Sequence, residues 1–233
     1  MASTPRDSQL NTLIAPEIKD DEFYYLLQFI VDQPEVRTVL EIGASSGAGS
    51  TEALVTAMRA QPPMSKLLYT IEVSKVRFEA LQRRYAADPF VFPYNVSSVG
   101  LDGFPSEAEV AEFWRRRLVA SGIPLETLLG WRRQDIDYIV DSGIETDGIR
   151  KIQRETGIKV FDAVLIDGSE FTGQAELDLV YGATYLCLDD SNVFKNRNNY
   201  ERLLADPAYV LVAENPMLRN GYAVFKKVRA GAL

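Results

Sequence analysis

Four short runs hold the residue types from which a binding site can be built. They are Glu41-Ile42-Gly43, opening into a loop that contains Gly47 and Gly49; Glu72; Asp167-Gly168; and Asp189-Asp190. Each acid ends or follows an apolar run (TVLEIG, LLYTIE, FDAVLIDG, TYLCLDD). A glycine loop between a strand and a helix lets backbone N–H groups approach a ligand, because glycine has no Cβ to hold it off. An acid at the end of the next strand accepts both hydroxyls of a ribose. In an open parallel sheet, ligands bind beyond the carboxyl ends of the strands, so four runs far apart in sequence converge on one edge. The residues alone point to a nucleotide-binding α/β fold. The chain has no histidine, which removes the commonest general base and the commonest transition-metal ligand. Acid–base chemistry falls to carboxylates, lysine, tyrosine or backbone, and oxygen-rich sites favour hard ions such as Mg²⁺ or Ca²⁺.

The elements that position these runs read in order. Residues 1 to about 18 are polar with scattered prolines, the composition of a loose arm. Phe23, Leu26, Leu27 and Ile30 recur at helical spacing and Pro34 ends that helix, so 1–35 form an arm and a helix before the main domain at 36–233. Strands are expected at Val36–Ile42, Leu67–Val73, Phe90–Val96, Phe161–Ile166, Ala183–Leu188, Tyr209–Glu214 and Tyr222–Lys227, with Pro93 weakening the third. Helices lie between the early ones, marked by Leu54, Ala57 and Met58, and by Phe78, Leu81 and Tyr85. Between residues 97 and 159 the rhythm breaks into helical patterns: one from Pro105-Ser106, a short one at Pro124, and others at Trp131–Val140 and Asp147–Thr156. An insertion of about sixty residues is far beyond ordinary loop length. It reads as a lid or substrate wall, or as a packing elaboration or a contact between copies of the chain. Its arginines (115, 116, 117, 132, 133) alternate with acids, which suits a solvated face as well as an anion site. The last two strands are joined without a helix and should pair antiparallel. The fold class is α/β: five β/α steps, a seven-stranded, mostly parallel, Rossmann-like sheet closed by an antiparallel hairpin, with a helical insertion after the third strand.

The 233 residues are 46% hydrophobic and 25% charged with a formal net charge of −8, enough apolar material for one large domain. The acidic balance argues against the basic footprint of a nucleic-acid binder. No apolar run is long enough to span a membrane, and no signal-peptide h-region opens the chain. The single cysteine, Cys187, sits in an apolar run and excludes an intrachain disulfide; a cytoplasmic setting is expected.

GASSGAG by itself resembles the loop of the short-chain dehydrogenases, which use NAD(P). Their Tyr-x-x-x-Lys pair is matched only by Tyr222 and Lys226, inside the terminal strand. The wider pattern is more specific. VLEIGASSGAGST resembles motif I of the class I S-adenosylmethionine-dependent methyltransferases with Glu41 in the acidic position, YTIEV resembles motif II with Glu72 on the ribose, and FDAVLIDG resembles motif IV. The closing VLVAENPMLRNGYAVFKK is similar to that fold's antiparallel end, so the likeness runs from about Val36 to Val228 apart from the insertion. It implies cofactor contacts from Glu41, Gly43, Ser46, Gly47, Ser50, Thr51, Glu72 and Asp167. By position Asn95 and Ser97 reach the adenine, or else form a turn.

Asp167-Gly168 with Leu188-Asp189-Asp190 resembles the catechol- and macrocin-type O-methyltransferases. There, strand-end acids bind a divalent metal that holds and acidifies the acceptor hydroxyl. Carried over, Asp167 and Asp190 are catalytic, and Asp167, Asp189 and Asp190 are the ligands of Mg²⁺. Ser191 stands where some relatives have an Asn ligand, and Glu170 can substitute for a missing base or ligand. Capping of the loops by the same aspartates, without metal, is the other reading. Lys195 reads as a base, an orienting group, or simply an exposed lysine. DGSEFTGQAELDLVYG with LDDSNVFKN looks like a group of bacterial proteins of glycan and secondary-metabolite pathways. The expectation is therefore O-methylation of a sugar or other small-molecule hydroxyl, with a non-catalytic methyltransferase-like scaffold and an NAD(P) oxidoreductase as alternatives.

Overall fold

The computed structural model describes residues 9–118 and 123–228. The first eight residues of the expected arm lie outside them. The elements follow as α1 (Glu22–Asp32), β1 (Thr38–Ile42), α2 (Ser50–Arg59), β2 (Leu67–Ile71), α3 (Lys75–Arg84), β3 (Val91–Tyr94), α4 (Glu107–Phe113), α5 (Leu125–Asp141), α6 (Gly148–Thr156), β4 (Ala163–Ile166), α7 (Gly173–Val180), β5 (Tyr185–Asp189), α8 (Arg197–Ala205), β6 (Tyr209–Asn215) and β7 (Tyr222–Lys227). The seven strands form one sheet in the order β3-β2-β1-β4-β5-β7-β6. β1 to β5 pair in parallel, and β7 runs antiparallel to both β5 and β6. The chain is a Rossmann-like α/β sandwich with the expected terminal hairpin.

Both faces of the sheet are buried, which is why its central strands read as unbroken apolar runs. Val39, Leu68, Leu165 and Cys187 face one core with α1 and α2; Leu40, Ile42, Ile71, Ile166 and Leu188 face the other with α6, α7 and α8. Cys187 is fully buried, and burial pushes its thiol up to about 12, as suits an unreactive filler.

The inserted segment is organised differently from its sequence pattern. The short helix expected at Pro124 and the one expected at Trp131–Val140 are one continuous helix, α5, which Pro124 caps. α6 buries Ile149 and Ile152 against the sheet, so it is the crossover helix between β3 and β4 and not part of the insertion. The insertion proper ends near Glu145, which bridges in parallel to Val96. Phe104, Val110, Phe113, Leu128 and Ile139 make a third, smaller core with Phe171 and Phe194, residues of the loops after β4 and β5. Four of the arginines resolve as a solvated face: Arg115 and Arg116 pair with Glu112, Arg117 with Glu201, and Arg133 with Glu107 and Glu126, whereas Arg132 is half-buried and donates to the Pro105 carbonyl. Among the described residues, no helix is long and apolar enough to cross a membrane.

Candidate active site

Strand register explains the convergence of the acids. Tyr94, Ile71, Ile42, Ile166 and Leu188 stand in one row across β3, β2, β1, β4 and β5. One residue further along each chain come Asn95, Glu72, Gly43, Asp167 and Asp189. Parallel strands in step deliver their next residues to one edge, and a cleft of about 300 Å³ opens there.

Gly43, Ser46, Ser50, Glu72 and Asp167 line this cleft. Gly43 has φ +92°, and a Cβ on it would stand 1.9 Å from the Asp167 carbonyl oxygen, so the loops after β1 and β4 touch only because it is glycine. Glu72 is buried; its Oε2 accepts from Ser45 N at 2.7 Å and its Oε1 from Ser74 N at 2.7 Å. Burial holds its carboxyl above the usual range, opposed by these backbone donors and by Arg77.

Four of the expected cofactor contacts stand behind the wall instead. Glu41 shares a face of β1 with Val39, opposite Leu40 and Ile42, so it points to the α2 side, fully buried. It accepts from Ser50 Oγ at 2.7 Å and from Thr51 Oγ1 at 2.8 Å. Burial lifts its pKa to about 7 against those two hydroxyls. Glu41 and Thr51 therefore position the first turn of α2. Gly47 faces α3, where a Cβ would lie 2.6 Å from the Tyr85 ring and 2.7 Å from Leu81. Asn95 turns back, donating to the carbonyls of Glu72 (2.8 Å) and Val73 (3.1 Å), so it fixes a turn; Ser97 does reach the cleft.

At the other end of the cleft, Asp167, Asp189 and Asp190 each offer an oxygen within 4.8 Å of the others. Lys195, expected at the surface, is buried between them. Its Nζ donates to Asp167 Oδ1 at 2.8 Å and to Asp190 Oδ2 at 2.6 Å. Asp189 Oδ1 accepts from Arg219 Nη2 at 2.8 Å, and Arg219 reaches on to Asp21, the N-cap of α1. Asp190 takes a left-handed backbone (φ 55°), and its Oδ1 accepts from Asn220 Nδ2 at 3.0 Å. Burial works against charge on Lys195, but Asp167, Asp190 and Glu170 outweigh it and keep the group an ammonium. Burial likewise raises the Asp190 carboxyl, but Lys195, Asn220 and Arg219 together hold it below the usual range. Asp167 is held well above that range by burial and by its acidic neighbours, with Lys195 opposing.

The backbone N–H of Ser191 donates to Gly221 O at 3.0 Å. Glu170 is a brace: its Oε1 accepts from Phe194 N at 3.0 Å, and burial lifts its pKa to about 7. It fixes the loop that carries Lys195.

Several cleft residues had no signal in the sequence. Asp135 and Ile139 of α5 and Phe104 form a wall supplied by the insertion, and Asp135 Oδ2 accepts from Ser169 Oγ at 2.6 Å. The N-terminal segment is not loose where it is described: Leu10, Ile14, Pro16 and Ile18 line the cleft. It is tied down by Ser74 Oγ on Leu10 O and by Arg77 Nε on Thr12 O. Asn196 is buried and donates to Ile166 O (2.9 Å) and Asp189 O (2.6 Å), clasping the ends of β4 and β5. The Asn-rich run before Tyr200 was the only available hint. Tyr222 and Lys226, the candidate dehydrogenase pair, lie in β7, where they serve Glu22 and Glu35.

No protein-family model and no curated protein matches the sequence. Solved structures do match. An O-methyltransferase from Bacillus cereus in complex with SAH aligns at TM-score 0.56 and 17% identity, over 93% of this chain and 84% of that one. The O-methyltransferase TomG from Streptomyces achromogenes, involved in tomaymycin synthesis and solved with SAM, aligns at TM-score 0.54 and 16% identity, over 91% and 82%. SAH-bound PaMTH1 of Podospora anserina aligns at TM-score 0.51 and 13% identity, over 91% and 80%. From strand order to terminal hairpin, the chain has the Rossmann-like class I methyltransferase fold.

Proposed function

We propose that the protein is an S-adenosylmethionine-dependent O-methyltransferase that acts on a hydroxyl of a sugar or other small molecule. One observation carries this reading: the glycine loop, Glu72 and the Asp167–Asp190 cluster, far apart in sequence, line a single cleft in a fold shared with SAM- and SAH-bound O-methyltransferases.

The residues present suit the cofactor. The loop after β1 has the close backbone approach that only Gly43 permits. Each Glu72 oxygen holds one backbone N–H and keeps a lone pair for a ribose hydroxyl. S-adenosylmethionine, held by the loop after β1 and Glu72, would supply a methyl on a sulfonium that an acceptor oxygen could take as an electrophile, with the C–S electrons returning to sulfur. The chain's contribution is alignment and proton removal. Phe104 and Ile139 screen the acceptor end from water, and the hydroxyl proton passes to a carboxylate of the Asp167–Asp190 pair. Asp135, Asp167 and Asp190 all line the cleft and offer the acceptors that a polyol's hydroxyls need.

The three aspartates have the right donor class for Mg²⁺, but as arranged they do not fit it. Asp167 and Asp190 share the Lys195 ammonium, and Asp189 is held by Arg219.

Calorimetric titration of the purified protein with S-adenosylmethionine, S-adenosylhomocysteine and NADP⁺ tests the reading. Heat from the two adenosyl ligands alone supports it and justifies a screen of hydroxylated acceptors. Binding of NADP⁺ alone overturns it in favour of a dehydrogenase.

A further inference from the structure

We infer that the cation of the acceptor site is built into this chain: the Lys195 ammonium stands in place of a divalent metal between Asp167 and Asp190. This rests on the methyltransferase reading of the cleft. It departs from the metal-assisted site that the aspartate pattern by itself suggests.

The geometry carries the inference. Lys195 Nζ lies 2.8 Å from Asp167 Oδ1 and 2.6 Å from Asp190 Oδ2, so it bridges the carboxylates of two different loops as a shared cation would. The side chain is 9% exposed, and among the described residues these two carboxylates are its only hydrogen-bond acceptors. A metal that took both oxygens would leave an ammonium buried without a partner, and such unpaired buried charges are strongly destabilising. Nor is the lysine placed by chance. Glu170 accepts from Phe194 N, the Asn196 side chain clasps Ile166 O and Asp189 O, and Gly173 lies where a Cβ would stand 2.0 Å from Lys195 O. The loop is fixed on both sides of residue 195. The third aspartate is spoken for independently by Arg219. An ammonium has three N–H donors; two are used, and the third is available to an acceptor oxygen in the cleft. One positive charge in a poorly solvated site then steadies the developing negative charge on that oxygen.

Manganese is the probe, because free aqueous Mn²⁺ is read directly by electron paramagnetic resonance without any acceptor. In wild type at millimolar Mn²⁺ we expect no loss of the free-ion signal, and S-adenosylhomocysteine binding by calorimetry that is equal with and without EDTA. Lys195→Ala opens the aspartates, and its Mn²⁺ affinity should rise by roughly ten- to a thousandfold, as removal of a charge at this distance implies. Asp190→Asn in that background should cancel the gain. Stoichiometric Mn²⁺ uptake by wild type, abolished in Asp190→Asn, would overturn the inference, as would a folded Lys195→Ala protein with no gain in Mn²⁺ affinity. Should Lys195→Ala not fold, the wild-type and Asp190→Asn titrations still decide. Absence of S-adenosylhomocysteine binding in wild type would instead sink the methyltransferase reading, and it is scored separately from the manganese signal.

Discussion

Ser45 N donates to Glu72 Oε2 at 2.7 Å, tying the glycine loop after β1 to the first residue beyond β2. The same carboxylate is therefore both the organiser of the loop and the acceptor placed for a ribose. Glu72→Ala removes both functions. We expect S-adenosylmethionine and S-adenosylhomocysteine affinity to fall roughly ten- to hundredfold, the scale of hydrogen bonds to a charged group. Calorimetry reads this directly, and unchanged affinity would remove Glu72 from the cofactor.

Gly43→Ala tests the contact between the loops after β1 and β4. The new methyl would meet the Asp167 carbonyl, and the backbone at φ +92° disfavours any L side chain. A loss of roughly 3 kcal/mol or more is expected from strain and overpacking together. Urea unfolding measures it; a stability within error of wild type would mean that the two loops are further apart than described.

Glu41 gives stability a pH dependence. Its carboxyl is raised from 4.5 to about 7 by burial. The folded state therefore binds the proton more tightly than the unfolded state, so stability is greater below this window and is lost as pH rises from 4.5 to about 7. The integrated effect is on the order of 3 kcal/mol. Glu41→Gln has no titrating group, and its denaturation midpoint should vary less than that of wild type between these two pH values. Equal pH slopes in the two proteins would show that Glu41 stays ionised.

Asn196 holds two carbonyls from two strands with one amide. Asn196→Ala leaves the Ile166 and Asp189 carbonyls without that donor, a loss of roughly 2–3 kcal/mol. Asn196→Asp keeps the shape but not the donor and should not restore stability. If it did, volume and not hydrogen bonding would be the residue's contribution.

The strands and the chemistry at their ends were legible before any coordinates. Parallel strands buried on both faces must be apolar throughout, so β1, β2, β4 and β5 announce themselves. Their alignment in one row follows from parallel pairing, so acids immediately after them share an edge. α6 stands where its periodicity put it, but periodicity records that one face is buried and not what it is buried against, and Ile149 and Ile152 pack in the core on one face of the sheet. Pro124 does open α5, but the break expected before Trp131 is absent, because Leu128, Leu129 and Ile139 pack into one small core along a single helix.

The amino-acid sequence alone determined the α/β class, the glycine loop, and the convergence of Glu72, Asp167, Asp189 and Asp190, because each depends on local patterning and on strand order. Tertiary structure alone decided which way those side chains face and what neutralises them. Glu41 turns to Ser50 and Thr51, Asn95 to the backbone after β2, Lys195 inward to two aspartates, and Arg219 from the far hairpin to Asp189. A lysine six residues past the end of a strand is most cheaply solvated. It is buried here because two carboxylates from separate loops meet it at hydrogen-bond distance, and that meeting exists only once β4 and β5 stand side by side.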